Sequence, residues 1–187
     1  MADITHGTWI KDGKAVDAVY QGGVQVYGRN LIHDTGFEQG LWKIIWDKPT
    51  MAITADGNLK FIIPDTSQAG IGVSAETLEM DKIYTLTAKV RGLSEFQPYI
   101  MYGGGIGNFD IYSANGVSYP MINSDTDFVD IKYTFTLRFK DPMKQYSFAL
   151  LTTGVAGNWL EIKKDSLKLE AGNVPNAWTP APEDILK

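Results

Sequence analysis

Residues Val129 to Phe139 read VDIKYTFTLRF, and apolar and polar side chains alternate along the whole stretch. Successive side chains of a strand point to opposite faces, so a period of two predicts a strand with one buried face and one solvated face. Residues 84–91, YTLTAKVR, alternate in the same way. Two long amphipathic strands indicate a sheet that covers a core on one side only.

Shorter apolar runs separated by Gly, Pro, Asn and Asp predict further strands. They lie at residues 8–11, 15–20, 24–27, 59–63, 70–75, 99–102, 109–112, 146–151, 160–163 and 167–170. Only residues 75–81 could form a helical turn, and no long amphipathic helix separates the strands. The pattern therefore predicts an all-β fold, a jelly-roll β-sandwich with a small N-terminal hairpin appendage.

The chain divides into three parts by composition. Asp12-Gly13 and Gly22-Gly23 are tight-turn dipeptides, so residues 1–28 form small hairpins that serve as a connector or docking segment. An edge extension of the main sheet explains these hairpins equally well. Residues 29–172 form the main domain, and residues 173–187 form an extended proline-rich tail with Trp178 as its anchor.

Composition excludes several classes of function. The chain of 187 residues has no cysteine, which excludes disulfides, thiol nucleophiles and thiolate zinc sites. It has only two histidines, which argues against a histidine-rich metal site. A net charge of −5 argues against binding to nucleic acid or to an anionic membrane. The first residues show no signal-peptide pattern, so we expect synthesis in the cytoplasm. A virion component that is released by lysis would also lack such a signal.

Enzyme motifs are missing from the sequence, and we predict a protein that is not an enzyme. The glycine-rich residues 103–107 lack the Lys-Ser/Thr of a phosphate loop and indicate a turn or a close backbone approach. Residues 125–130 lack the glycine and glutamate of a calcium loop. A glycoside hydrolase remains an alternative function, because its two catalytic carboxylates need only converge in space and leave no sequence motif. The candidates are Glu76, Glu79, Asp110 and Glu161.

Aromatic residues concentrate between Gln97 and Tyr119 in a chain that is 12% aromatic. Strand alternation cannot bury all of them, because Tyr99 and Tyr102 face opposite ways. A solvated face of aromatic rings and polar groups suits a sugar, whose C–H patch stacks on the rings. Core packing with tyrosines bonded at the rim is the alternative. The predicted carbohydrate-binding residues are Trp46, Tyr99, Tyr102, Asp110, Tyr112, Tyr119 and Trp159.

Two segments resemble a known family. Residues 30–42, NLIHDTGFEQGLW, are similar to the opening of jelly-roll carbohydrate-binding modules. Residues 160–184, with LEI, KLEAGN and AWTPAPED, resemble the end of such modules in tail proteins of phages that infect lactic-acid bacteria. Residues 24–31, VQVYGRNL, resemble the junction that precedes them. The middle of the chain matches no family in this way.

The resemblance implies a tail-tip or baseplate protein of a virion that binds host cell-wall polysaccharide without catalysis. Its partners would be that polysaccharide and other tail proteins, with copies of the chain as a further expectation. No cofactor is required, but in relatives a Glu and an Asp help to hold a structural calcium ion, and Glu38 and Asp165 match them. The two lysines before Asp165 depart from that pattern. The alternative is a purely structural virion protein that uses its aromatic face for protein–protein contacts.

Overall fold

The computed structural model describes residues 2–5, 7–64, 68–79, 81–102, 119–136, 146–153 and 155–186. The side chains of residues 2–5, 68, 101, 102, 146 and 153 are excepted from this description. The strands are β1 (Ala2–Thr5), β2 (Thr8–Lys11), β3 (Lys14–Ala15), β4 (Ala18–Gln21), β5 (Val24–Gly28), β6 (Lys43–Trp46), β7 (Thr50–Ile53), β8 (Leu59–Ile62), β9 (Gln68–Ala75), β10 (Ile83–Glu95), β11 (Gln97–Tyr102), β12 (Met121–Thr136), β13 (Tyr146–Thr153), β14 (Trp159–Ile162) and β15 (Lys168–Ala171), and a helical turn, α1 (Pro182–Ile185), follows them.

Two antiparallel sheets form the body of the molecule. The larger sheet has the strand order β12-β10-β14-β8-β7, and β15 also pairs with β10. The smaller sheet has the order β11-β13-β9-β6. One hydrophobic core lies between them, with Leu86 and Leu160 from the larger sheet and Ile71 and Phe148 from the smaller. This architecture confirms the predicted jelly-roll β-sandwich.

The two strands with the clearest alternation are neighbours in the larger sheet. Residues 83–90 of β10 pair with residues 129–136 of β12, and the register shifts next to Gly92. Ile131, Tyr133 and Phe135 are buried as predicted, but Val129 is 38% exposed, so the buried side chains of the predicted stretch begin at Ile131. Residues 137–139 lie outside the described residues.

The N-terminal strands stand apart from the two large sheets. β1, β2 and β3 form one small sheet, and β4 and β5 form a hairpin of their own. Among the described strands, none of these five pairs with a strand of the sandwich. The segment instead contacts the C-terminal tail, where the Thr8 hydroxyl donates to the Pro180 carbonyl at 3.1 Å. An appendage, rather than an edge extension of the main sheet, is therefore what these strands form.

The C-terminal tail binds the last strand of the main domain, β15, through polar contacts. Asn176 donates its backbone N–H to Glu170 at 2.7 Å, and the buried Lys168 ammonium donates to the Ala177 carbonyl at 2.8 Å. The tail has no regular secondary structure up to Ala181, whose backbone is extended, and it ends in α1. Residues 76–79, which belong to the stretch where a helical turn was predicted, have no regular structure. Within the described residues, no helix has the length and apolarity needed to span a membrane.

Candidate functional site

The outer face of the smaller sheet carries the candidate site. Side chains on β9 alternate, and Ile71 and Val73 enter the core while Gly70 and Gly72 lie on the other face. A Cβ at Gly70 would lie 2.6 Å from Leu151 Cδ2 and 3.0 Å from Trp46 Cβ. The missing glycine side chains therefore leave room for Leu151 and Trp46 to lie against the sheet.

Trp46 ends the edge strand β6, where a register shift separates it from Ile44. A bulge changes the direction of a side chain, and here it brings both Ile45 and Trp46 against β9. Trp46 is half-buried and Ile45 is 39% exposed, so this edge presents an aromatic and aliphatic surface to solvent. The other edge strand, β11, lies three strand spacings away, or about 14 Å at the usual separation.

Two tyrosines border the β11 edge. The rings of Tyr99 and Tyr119 are tilted against each other with centroids 5.7 Å apart, and both residues are half-buried. Burial and a hydrogen bond with Tyr119 raise the pKa of Tyr99, so its hydroxyl stays protonated at neutral pH. This neutral hydroxyl can both donate and accept hydrogen bonds. We call the surface between Trp46 and these tyrosines the aromatic-edged face.

Polar groups lie on the same side of the sheet. Gln97 precedes Tyr99 by two positions and its amide is bonded to the Glu95 carboxylate. Ser74 of β9 lies opposite Ser147 of β13 in the register, and both are accessible to solvent. An arrangement of flat rings with hydroxyl, amide and carboxylate groups can stack on a sugar and bond its hydroxyls.

The structure brings together three of the seven predicted carbohydrate-binding residues, namely Trp46, Tyr99 and Tyr119. Trp159 lies instead on β14 of the larger sheet, with the Lys60 ammonium 3.9 Å from its ring centroid. Tyr102 pairs through its backbone with residue 146, and its side chain is outside the description. Asp110 and Tyr112, together with the strand predicted at 109–112 and the glycine-rich residues 103–107, lie outside the described residues.

Gly70, Gly72 and Leu151 belong to this face but were not predicted to contribute to the site. A usable signal is present in the sequence, because glycines at positions i and i+2 of a strand leave one face without side chains. The contribution of Ile45 had no such signal, since it depends on the bulge in β6.

Glu38 and Asp165, the residues that resemble calcium ligands, line one groove near the tail. The Lys164 ammonium binds the exposed Glu38 carboxylate and lowers its pKa. Both oxygens of the nearby Asp34 accept backbone N–H groups, from Gln39 and Leu41 at 2.9 Å. A calcium ion takes six to eight oxygen ligands. Because the chain supplies its own cation to Glu38, this set of side chains does not fit a calcium site.

A second group of metal-ligating side chains lies beside the N-terminal segment. His33, Glu76 and Glu183 are the one such cluster that the described residues form. The Arg29 guanidinium binds both glutamates, and His33 Nε2 lies 2.8 Å from Glu76 Oε1. The arginine already neutralises these carboxylates, and it also binds Asp17 at 3.2 Å, so the cluster acts as an ionic link between the appendage, the main domain and the tail.

Comparisons with known proteins agree with the fold. No protein-family model matches the chain, and no curated protein matches it. An α-L-arabinofuranosidase, MgGH51, is similar over 78% of this chain and 27% of its own, with a TM-score of 0.62 and 14% identity. A provisionally assigned sugar binding protein from Bacteroides thetaiotaomicron is similar over 77% of this chain and 100% of its own, with a TM-score of 0.57 and 13% identity.

A phage protein shares the fold as well. The enzymatically active domain of tailspike protein 4 from bacteriophage CBA120 is similar over 76% of this chain and 21% of its own, with a TM-score of 0.50 and 10% identity. The present chain therefore spans about a quarter of the arabinofuranosidase and about a fifth of the tailspike domain. At these identities the likeness concerns the fold.

Proposed function

We propose that this chain is a non-catalytic carbohydrate-binding domain and that the aromatic-edged face binds the glycan. One observation carries the proposal: Trp46 and the Tyr99–Tyr119 pair border one sheet face, on which the side chains of Ser74 and Ser147 are accessible to solvent. Ile45, Trp46 and Leu151 fill the space above Gly70 and Gly72, and the rings that border this packed surface offer planes on which a sugar ring can stack. The fold that is shared with a provisionally assigned sugar binding protein supports the same function.

The carboxylates in the described part of the chain favour binding over hydrolysis. The buried Glu161 accepts hydrogen bonds from Asn58 and Arg91, both at 2.8 Å. Glu76 is bound by Arg29 and His33, and Glu79 by Lys82. A glycoside hydrolase needs two carboxyl groups that face the same sugar. Three of the four candidates are thus engaged in ion pairs elsewhere, and the fourth, Asp110, lies outside the described residues.

We place this domain in the tail tip or baseplate of a virion, where it binds host cell-wall polysaccharide during adsorption. The resemblance of residues 30–42 and 160–184 to modules of phage tail proteins supports this setting, and so does the fold shared with a phage tailspike domain. A shallow site of this kind binds weakly by itself. Several copies on one virion would raise the avidity by about 10²–10⁴ where simultaneous binding is possible.

The test compares three single variants on one polysaccharide. Cell-wall polysaccharide from a lactic-acid bacterium is titrated into the wild-type protein and into Trp46→Ala, Tyr99→Ala and Trp159→Ala, and affinity is measured by calorimetry. Loss of a stacked ring should weaken binding by about tenfold, or about 1.4 kcal/mol, for the first two variants. Trp159→Ala is the matched control, because Trp159 lies on the other sheet.

Each other outcome contradicts part of the proposal. Loss of affinity in Trp159→Ala alone would move the site to the larger sheet. Wild-type affinity in both Trp46→Ala and Tyr99→Ala would remove the aromatic-edged face as the glycan site. A labelled wild-type protein that binds neither host cells nor a glycan array would support the structural virion protein, in which this face contacts another protein.

A further inference from the structure

A second concave surface lies around Trp178, away from the aromatic-edged face. Two neighbouring cavities of about 740 and 410 Å³ share the residues Lys164, Asp165 and Trp178. The first cavity is bordered by residues 34–39 and by the tail, and the second by parts of β10 and β12. We call the combined surface the Trp178 groove.

The tryptophan is held in one orientation. Trp178 Nε1 donates to the Thr35 hydroxyl at 3.1 Å, and Thr35 is fully buried. The Asn30 amide is bonded to the same hydroxyl at 3.0 Å and fixes it in place. The indole remains half-buried and borders both cavities, so part of it is open to a ligand. A ring that is already oriented loses little conformational entropy when it stacks on a sugar.

The second cavity of the Trp178 groove is rich in lysine. The second cavity is lined by four lysines, in a protein with a net charge of −5. Lys89 binds Asp130 at 3.0 Å and Lys164 binds Glu38. Lys132 and Lys163 are exposed and form no ion pair with any described residue, and the Lys163 ammonium lies 5.7 Å from the centroid of the Phe128 ring. Two ammonium groups without a carboxylate partner among the described residues can bind an anionic group on a ligand that stacks on the indole.

Asp165 lies between the two cavities and offers an acceptor. Its carboxylate accepts no hydrogen bond from the described part of the chain, and Asp165 lines both cavities. Partial burial raises the pKa of Asp165, and the charge of the nearby Lys164 opposes this rise. A free carboxylate beside an aromatic plane is suited to accept hydrogen bonds from sugar hydroxyls.

We propose that the Trp178 groove is a second saccharide site and that it binds a sugar unit with an anionic substituent. Trp178 stacks on the sugar ring, Asp165 accepts from its hydroxyls, and Lys132 and Lys163 bind the carboxylate or phosphate. The inference rests on the proposed carbohydrate-binding function and adds the charge class of one ligand unit. It is independent of the aromatic-edged face, because no residue is common to the two surfaces.

The test follows the indole N–H signals of the protein by NMR, with the Trp178→Phe variant used to assign the Trp178 signal. Glucose 1-phosphate, glucuronic acid, methyl glucoside and inorganic phosphate are titrated separately. We expect both anionic sugars to shift the Trp178 signal, more strongly than methyl glucoside does, and salt to weaken the effect. The phosphate and carboxylate probes distinguish the two kinds of anionic substituent.

Charge variants complete the test. Lys132→Gln/Lys163→Gln should weaken the binding of the anionic sugars by about two- to thirtyfold. Lys11→Gln/Lys14→Gln changes the net charge equally on two exposed lysines of the N-terminal hairpin and should leave affinity unchanged. No shift of the Trp178 signal with either anionic sugar would overturn the proposal, and so would equal binding of methyl glucoside.

Two further results separate this proposal from the proposed function. Inorganic phosphate that binds as tightly as glucose 1-phosphate would show an anion site without sugar recognition and would overturn the inference. Trp178→Ala with full affinity for polysaccharide and for the anionic sugars would overturn it too, while the aromatic-edged face could still bind glycan. Loss of polysaccharide binding in Trp46→Ala, with the Trp178 shifts retained, would support two separate sites.

Discussion

Replacing Asn30 with alanine should destabilise the whole domain. This fully buried amide bonds three separate parts of the chain. Its Nδ2 lies 3.0–3.2 Å from the Thr35 hydroxyl and from the carbonyls of Leu167 and Thr179. Its Oδ1 accepts the backbone N–H groups of Ile32 and Leu169, both at 3.2 Å. Residues 32–35, the segment around β15 and the C-terminal tail therefore all bond to the side chain of Asn30.

The expected loss follows from the number of bonds that alanine cannot make. An amide nitrogen has two hydrogens, so Asn30 makes at most four of these five bonds at once. At about 1 kcal/mol for each buried bond, Asn30→Ala should lower the free energy of unfolding by about 3–4 kcal/mol. For a domain of this length, such a loss lowers the melting temperature by about 6–16 °C.

Thermal and urea unfolding of two variants measure this effect. Asn173→Ala is the matched control, because Asn173 is exposed and a surface substitution changes stability by about 0.5 kcal/mol or less. Asn30→Asp should be at least as destabilising as Asn30→Ala, since it retains the acceptors but loses the donors and buries a charge. A melting temperature of Asn30→Ala that equals the one of Asn173→Ala would refute the reasoning.

Two other substitutions test the ionic contacts of the tail. Lys168→Met leaves the buried Glu170 without its cation and should cost about 3–5 kcal/mol in urea unfolding. A Lys168→Met/Glu170→Leu double variant should recover only part of it, because Glu170→Leu also removes the acceptor of the Asn176 backbone N–H. Burial raises the pKa of Asp184, so its charged form opposes folding. The penalty is present above the folded pKa and disappears below the unfolded value near 3.9. The side-chain oxygen of an Asp184→Asn variant can still accept from the Asp34 backbone N–H. This variant should therefore gain stability relative to the wild type as the pH rises. A gain in stability that grows on acidification would contradict this.

The main strands could be predicted because their sequence encodes a buried face and a solvated face. Residues 84–91 of β10 and 129–136 of β12 alternate, and the structure pairs these two strands at the β12 edge of the larger sheet. β6 and β7 were not predicted, since KIIW and TMAI show no alternation. Both are edge strands of only four residues in which three side chains are exposed, so the pattern that reports burial is weak.

The candidate site was harder to predict, because its residues meet only through sheet register. Trp46 and Tyr99 were singled out as aromatic residues, but nothing local in the sequence places them on one face. Trp159 has the same chemistry and lies on the other sheet. The pairing of Lys164 with Glu38 joins residues 126 positions apart, and it changes the interpretation of a motif that resembles a calcium site. Such contacts depend on the tertiary fold.

The anchoring of the tail has a practical consequence for dissecting the protein. Cutting the chain after Gly172 would remove the Thr179 carbonyl, which accepts from the Asn30 amide, and the Trp178 indole, which donates to the Thr35 hydroxyl. It would also remove Glu183, the partner of Arg29. A recombinant fragment that follows the last strand would thus expose unsatisfied groups in its interior and aggregate, whereas one that extends through Ile185 keeps them covered. The useful boundary for expression lies beyond the helical turn.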